Sequence, residues 1–541
     1  MLTERTGNIF DKLIFYGLHF LIVFTPFATV STLPFSLSIP WSLAVTALVV
    51  LFLVAVWLIR AAYQGIFKFA STPLNLPIIA FITLILFQLL PLPPTILQLV
   101  SPSSVPIYKM IGNENLEEIS RTLLPQQTPT EQNIQPANAV KPPPGASHKV
   151  WHSITLYRYA SKVELFRLLM YAGIYFLVVN NVHSKRQIKQ LVTTIIITGA
   201  SVAFLGLLQY LSGADKIFWL LDIKRIGFFG AFSNQDHFAG YMAMIIPLVT
   251  GLLITEYLQY QGTNSKREIR NPALKIANHR VFFYVFAIVI MLSSLFFARS
   301  SGGAFSMMIS FLLLVGIMLC RRRLRRFSWV VIPILTITLG MLIWIGIHPV
   351  IEELSTAVDI ENKSLTARIE FWKDTVAAIR DFPFFGAGLG TFPFVYPQYS
   401  AITFNTFVNH AHNEYLELLL ETGFIGLFFI VWAIYRFIKD NVLYHILGTT
   451  KGINHAYPVK NNANKNRSFN IKSSYFPGKR NDPFIIGITI GCAIGVISMC
   501  LHCIVDFNFH IPANAFLLSV LLGIGTVAVH MGGADDTHNS D

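Results

Sequence analysis

The block "NHAHNEYLELLLETGFIGLFF" sets two imidazoles, His410 and His412, directly before Asn413, Glu414, Glu417 and Glu421. A histidine can take a proton near neutral pH, and a neighbouring carboxylate can orient it or raise its basicity. Glu414, Glu417 and Glu421 recur at i, i+3 and i+7, so on a helix they share one face. Their other reading is a favourable interaction with the N-terminal end of that helix. Gly423 and Gly426 permit close backbone approach. The i, i+2 spacing of the histidines suits a loop better than a helix face. No H-E-x-x-H or cysteine-rich partner accompanies them, so no metal and no other cofactor is expected.

Three arginines are the second signal: Arg225 in "IKRIGFFGAFSNQDHFAGY", Arg299 in "FFARSSGGAF" and Arg368 in "LTARIEFW". All three fall in loops on the face of the membrane where the charge pattern below disfavours basic residues. An arginine held at mid-depth costs about 2.5 to 3.5 kcal/mol on insertion scales, so one kept near a buried cavity calls for an anionic partner. A diphosphate fits, because guanidinium pairs with phosphate oxygens bidentately. The competing reading is that each arginine snorkels to headgroups or pairs with a nearby acid, Asp222 with Arg225 or Glu370 with Arg368. Late in the chain, "CIVDFNFHIPANAFLL" crowds Asp506, Asn508, His510 and Asn514 into a short turn before Pro512. It either closes the same cavity or is a simple interfacial turn. "GAGLG" at Gly386–Gly390 lacks the strand and helix of a dinucleotide fingerprint and reads as a turn. Cys500 and Cys503 lie late in an apolar run and read as packing residues rather than a redox pair.

What positions these groups follows from composition. Of 541 residues, 53% are hydrophobic and only 13% charged, which does not suit a soluble surface. The formal charge of +13 sits in short clusters between apolar runs rather than on one basic domain, so no nucleic-acid partner is expected. About twelve runs reach the ~20 residues a spanning helix needs, beginning near Leu13, Trp41, Leu74, Leu165, Ile188, His237, Val281, Ala304, Ser328, Glu417, Phe484 and Asn514. The first run is too long for a signal-peptide core and is kept as a helix. Every second loop is basic, including Lys185 to Lys189, Arg321 to Arg326 and Lys451 to Arg480. That pattern puts both termini in the cytoplasm. The expected fold is an all-α integral membrane protein. Its organisation reads as helices 1–3 over 1–92, a partly disordered excursion over 93–162, helices 4–9 over 163–347, a large outer loop over 348–416, and helices 10–12 over 417–541 with a cytoplasmic linker at 441–481.

The segment "HNEYLELLLETGFIG" resembles the motif of O-antigen ligases: histidine with Asn, Ser or Gln, nine residues, Gly, two residues, then Gly, Thr or Tyr. Here these are His412, Asn413, Gly423 and Gly426. "DFPFFGAGLGTF" with the histidine block looks like the large outer loop of the ligase and polymerase superfamily, and "RIGFFGAFSNQDHFAGY" resembles its earlier arginine motif. The likeness runs from about Arg225 to Gly426. It implies a GT-C type glycosyltransferase of the bacterial inner membrane, taking a glycan from undecaprenyl diphosphate at the periplasmic face without a metal. His412 would activate the acceptor hydroxyl, with His410 or Glu414 as the alternative base. Arg225, Arg299 and Arg368 would bind the diphosphate and stabilise its charge on departure, Arg368 thereby acting in catalysis with His412 and Glu414, while His410 and Asn413 would help to bind substrate. Phe392, Phe394, Tyr396 and Tyr399 could stack on sugar rings or form an ordinary interfacial belt.

The histidine motif favours a ligase with lipid A-core as acceptor over a polymerase that joins one glycan repeat to another, and over an enzyme that glycosylates protein. A transporter or flippase is the reading from another class. It predicts ionisable groups at mid-depth on broken helices, whereas the polar residues here gather at one mouth and no internal repeat is visible.

Overall fold

The computed structural model describes residues 2–28, 41–65, 67, 69–113, 151–221, 227–264, 279–320, 324–355, 361–400, 408–443 and 482–531. In chain order the helices are α1 (Leu2–Phe27), α2 (Trp41–Gln64), α3 (Asn75–Leu89), α4 (Pro94–Val100), α5 (Ser104–Asn113), α6 (Arg158–Asn181), α7 (Lys185–Leu211) and α8 (Gln235–Asn264). They continue with α9 (His279–Ala298), α10 (Ser301–Leu319), α11 (Ser328–Ser355), α12 (Glu361–Asp381), α13 (Glu414–Ile438), α14 (Pro483–His502) and α15 (Pro512–His530). Among the described residues there is no strand. The all-α expectation holds.

Ten helical stretches among the described residues are long and apolar enough to cross a membrane. The remaining two of the twelve expected runs are α3 and α11, whose apolar stretches are shorter, at Asn75–Leu89 and Val331–Met341. α3 has 15 residues, about 22 Å of rise, against ~30 Å of hydrocarbon. Its end is dictated locally: Leu90 is extended at φ −67°, ψ 133°, as the residue before Pro91 prefers to be. Other ends are set by side-chain caps. Ser184 and Gln187 form a reciprocal capping box at α7, and Asp482 accepts from Phe484 and Ile485 at α14.

At the centre stands α8, buried along its whole apolar length and packed most closely on α14. The approach is possible because Gly251 faces Gly487 and Gly491; a Cβ on Gly251 would overlap the Gly487 carbonyl oxygen. Small residues let helix backbones meet in a membrane, where lipid tails are as apolar as leucine and burial alone gives little.

One irregular element sets the position of the site. α13 is broken at Gly423, which has φ +65° and ψ −173°. The loop from Pro383 to Leu389 enters this break. Phe424 N donates to Pro383 O at 2.8 Å, Ala387 N to Leu420 O at 2.8 Å and Gly388 N to Glu421 O at 3.0 Å. Buried Gln88 of α3 locks it, donating to Phe385 O at 2.6 Å and Glu421 O at 2.8 Å while accepting from Leu389 N at 3.2 Å. Non-helical backbone at membrane depth is tolerated only where protein satisfies it, and here the "GAGLG" turn and Gln88 do so. A Cβ at Gly423 would overlap the Phe384 carbonyl.

Candidate active site

The site gathers at one end of the bundle, where α8, α10, α13 and α15 begin and α14 finishes. The segment Val408–Asn413 enters it pinned on both sides. Trp372 Nε1 of α12 donates to Ala411 O at 3.0 Å, Ala411 N donates to Glu417 Oε2 at 2.9 Å, and Glu414 N donates to Cys503 O at 3.0 Å. Asn413 then caps α13, its Oδ1 accepting from Tyr415 N and Leu416 N at 3.1 Å each. Between these anchors His412 adopts φ +50°. The left-handed region costs a side-chain-bearing residue roughly 1–2 kcal/mol, so the surroundings must enforce it.

Below His412 lies Asp506, which is almost fully buried. Its Oδ1 is 3.8 Å from His412 Nδ1, and its Oδ2 is 3.2 Å from His237 Nδ1 and accepts from Asn508 Nδ2 at 3.1 Å. Neither Oδ1 nor His412 Nδ1 makes a hydrogen bond among the described residues, so a small rotation closes the pair. Such bonds are often long before substrate arrives. Burial would raise the Asp506 pKa, but the imidazoles of His237 and His412, with His502 nearby, outweigh it and hold the carboxyl well below its usual range. A fixed anion therefore sits beneath His412. Such a carboxylate orients an imidazole and stabilises the imidazolium formed when it takes a proton.

Arg368 completes this side. Its Nη1 donates to Val505 O at 3.1 Å and its Nη2 lies 3.7 Å from Asp236 Oδ2. Asp236 also accepts from Ser300 Oγ at 2.7 Å. The acid facing Arg368 is thus Asp236 rather than Glu370, which pairs instead with Lys373 at 2.7 Å. Arg299 is exposed in the turn from α9 to α10, next to Ser300, with a left-handed φ of +53°. Arg225, and the Asp222 pairing considered for it, lie outside the described residues.

A second group lies across the Phe507 ring. His410 stacks on one side of Phe507 at 4.2 Å and 19°, while His412 and His237 meet the ring edge-on at 4.9 and 4.7 Å. His410 Nδ1 is 2.8 Å from Glu417 Oε1. Glu414 does not turn toward His412; its Oε1 accepts from Phe509 N at 2.6 Å and lies 3.3 Å from His510 Nδ1. Glu421 accepts from Phe392 N at 3.0 Å. Glu414, Glu417 and Glu421 are 5%, 1% and 2% exposed, so the shared face read from their spacing is an inward one rather than a solvated one. Burial would lower the His510 pKa, but the charges of Glu414 and Glu417 override it and raise it well above 6.5. His410, Glu417 and His510 bring one ligand atom each within 4.8 Å of one another, a set that could hold a divalent ion. In the structure the three pair with each other.

Three participants escaped the reading of single motifs: Asp236, His237 and His502. The first two stand in "SNQDHF", an adjacent acid and imidazole at a helix start, which was a usable signal. His502 sits in an apolar run and carried none; both its ring nitrogens are buried without a hydrogen bond among the described residues.

A bundle of apolar helices with a histidine over a buried carboxylate, an arginine and a buried histidine–carboxylate group at one mouth is that of a multi-pass membrane protein whose ionisable side chains gather at one end. Residues 286–431 match the family described as O-antigen ligase. The chain thus carries an O-antigen ligase-like domain, and its resemblance to the ligase and polymerase superfamily is borne out there. The match takes in Arg299, Arg368, His410, His412, Asn413, Glu414 and Gly423; it begins after Arg225 and ends before Asp506. No curated protein matches the chain.

Proposed function

We propose that this protein is a glycosyltransferase that moves a glycan from undecaprenyl diphosphate to an acceptor at the periplasmic face of the bacterial inner membrane, most favourably as an O-antigen ligase acting on lipid A-core. The observation that carries the reading is His412, held in a left-handed conformation over the ionised Asp506 with Arg368 alongside, inside the O-antigen ligase match.

The acceptor hydroxyl gives its proton to His412, its oxygen bonds to the anomeric carbon, and the bond from that carbon to the diphosphate oxygen breaks with its electron pair leaving on the diphosphate. His412 becomes an imidazolium over Asp506, which does not itself take the proton. Arg368, with Arg299 and Arg225, meets the departing charge. The 3.7 Å separation between Arg368 and Asp236 is loose enough for a diphosphate oxygen to replace the acid as its partner. Diphosphate leaves readily, so positioned cations and one base suffice, and no metal is invoked. Glu414, bonded to Phe509 and His510, acts by holding the late turn in place, and Asn413 by fixing the start of α13. His410 is the alternative base; its ring nitrogen already serves Glu417, which favours His412.

Polymerisation and protein glycosylation share this chemistry and differ in the acceptor. A transporter explains neither the strained histidine nor the domain match. The test is purified full-length protein in nanodiscs, given a radiolabelled glycan on undecaprenyl diphosphate with lipid A-core, a second lipid-linked repeat, or a pilin-like protein. Transfer to lipid A-core alone supports the ligase. Transfer only to another acceptor replaces it with that branch, and no transfer to any of the three, with folded protein, overturns the enzyme reading.

A further inference from the structure

His410, Glu417 and His510 come from three places in the chain: the loop before α13, the first turn of that helix, and the short turn before α15. One atom of each converges on a common point. His410 Nδ1 lies 2.8 Å from Glu417 Oε1, His510 Nε2 lies 3.6 Å from the same oxygen, and all three atoms fall within 4.8 Å of one another. Ligands in a tetrahedron at the ~2.0–2.1 Å zinc–nitrogen distance stand about 3.3 Å apart, so the three atoms already outline one face of such a tetrahedron. The histidine pair spaced i, i+2 in the sequence is not the ligand set. His412 faces Asp506 instead, and the second imidazole comes from His510.

Each of the three is also held from behind, as metal ligands are. His510 Nδ1 lies 3.3 Å from Glu414 Oε1, which leaves Nε2 for an ion, and that oxygen is itself fixed by Phe509 N at 2.6 Å. The other oxygen of Glu417 accepts from Ala411 N at 2.9 Å. The His410 ring is stacked on Phe507 at 4.2 Å and 19°. Charge favours the same reading. Glu414 and Glu417 are buried, and buried carboxylates need a counter-charge. Arg167, on the same cavity wall, is already paired with Glu164 at 2.6 Å. A divalent ion supplies the counter-charge with both imidazoles neutral, the form in which they ligate. Two nitrogens and one oxygen suit Zn2+ over Mg2+ or Ca2+, which take oxygen ligands. The His410 and His510 side chains are 25% and 18% exposed, which gives an ion access from the mouth.

We propose that His410, Glu417 and His510 bind one divalent ion of the zinc type, with water in the fourth position and Glu414 orienting His510. The ion ties the segment that carries His412 to α13 and to the late turn. It acts as a clamp and takes no part in the transfer step, so the proposal does not rest on the glycosyl-transfer reading.

The experiment uses untagged full-length protein in nanodiscs, stripped with a chelator and reloaded with Zn2+ against a competing chelator, the bound metal being counted by mass spectrometry. Wild type holds one zinc per chain. His410→Ala and Glu417→Gln each weaken zinc binding at least about hundredfold, and Glu414→Gln about tenfold, as the loss of a ligand and of a ligand's partner should. His412→Ala keeps the zinc. Co2+ in place of zinc gives wild type the strong visible absorption of a four-coordinate ion, a readout that needs no variant to fold. Wild type that takes Zn2+ no better than Mg2+ overturns the proposal, as does a folded Glu417→Gln protein that binds zinc as tightly as wild type. Loss of the zinc in His412→Ala alone, or the weak spectrum of six-coordinate cobalt, overturns it equally. None of these measurements involves glycan transfer, so a failure here leaves the enzyme reading standing and a failure of transfer leaves the metal site standing.

Discussion

Replacing Asp506 by asparagine keeps the shape of the side chain and removes its charge from beneath His412. At the 3.8 Å separation observed, a full charge pair interacts by about 4 kcal/mol at an effective dielectric of 20. His412 is 29% exposed, so solvent screens part of this, and about 3 kcal/mol of imidazolium stabilisation is a working figure. At ~1.4 kcal/mol per tenfold, that is roughly a 100-fold fall in kcat. The effect belongs to kcat rather than to donor KM, because the imidazolium exists only once the acceptor proton has moved. The assay is glycan transfer at saturating donor and acceptor, wild type beside Asp506→Asn, with the melting temperature of both measured because His237 and Asn508 lose an anionic partner. A folded Asp506→Asn protein within about threefold of the wild-type kcat would refute a role for this carboxylate in supporting the base.

Gly423→Ala places a methyl group on the Phe384 carbonyl at a φ of +65°. The strain and overlap should cost about 3 kcal/mol or more, seen as a lower melting temperature and poor recovery of folded protein; near-wild-type stability would contradict the loop-in-kink packing. For His510, the folded pKa is raised above 6.5 by Glu414 and Glu417. Its contribution is therefore complete below pH 6.5 and disappears as pH rises through that higher folded value. The melting temperature should fall on the alkaline side in wild type, and His510→Gln should flatten that limb; an unchanged limb contradicts the assignment. The Asp506 contribution runs oppositely. Its folded pKa lies below 3.8, so it is present above that value and lost on acidification through the lower folded one.

Much of this architecture is readable from sequence, for identifiable reasons. Apolar runs of spanning length can satisfy their backbone only as helices, so α1, α2, α8 and α15 follow from hydropathy. The glutamate spacing on α13 gave its face, because 3.6-residue periodicity brings i, i+3 and i+7 together. The histidine motif marked His412 as a type of residue in a type of place. What could not be read was set by contacts distant in the chain. Asp506 sits 94 positions from His412, and nothing local says that it lies beneath that ring. The exchange of Glu370 for Asp236 opposite Arg368 is likewise tertiary: Lys373 is one turn from Glu370 and claims it. The "GAGLG" segment was legible as a turn, yet its use as the filler of a helix break at Gly423 needs both partners in view.

The most direct test of the central claim compares wild type with His412→Ala and Arg368→Ala in transfer of labelled glycan from undecaprenyl diphosphate, each purified and shown to be folded. The account predicts that His412→Ala abolishes transfer while the donor still binds, and that Arg368→Ala weakens both donor binding and turnover. Full transfer by a folded His412→Ala protein would contradict it, and would move the base to His410 or to a different face of the molecule.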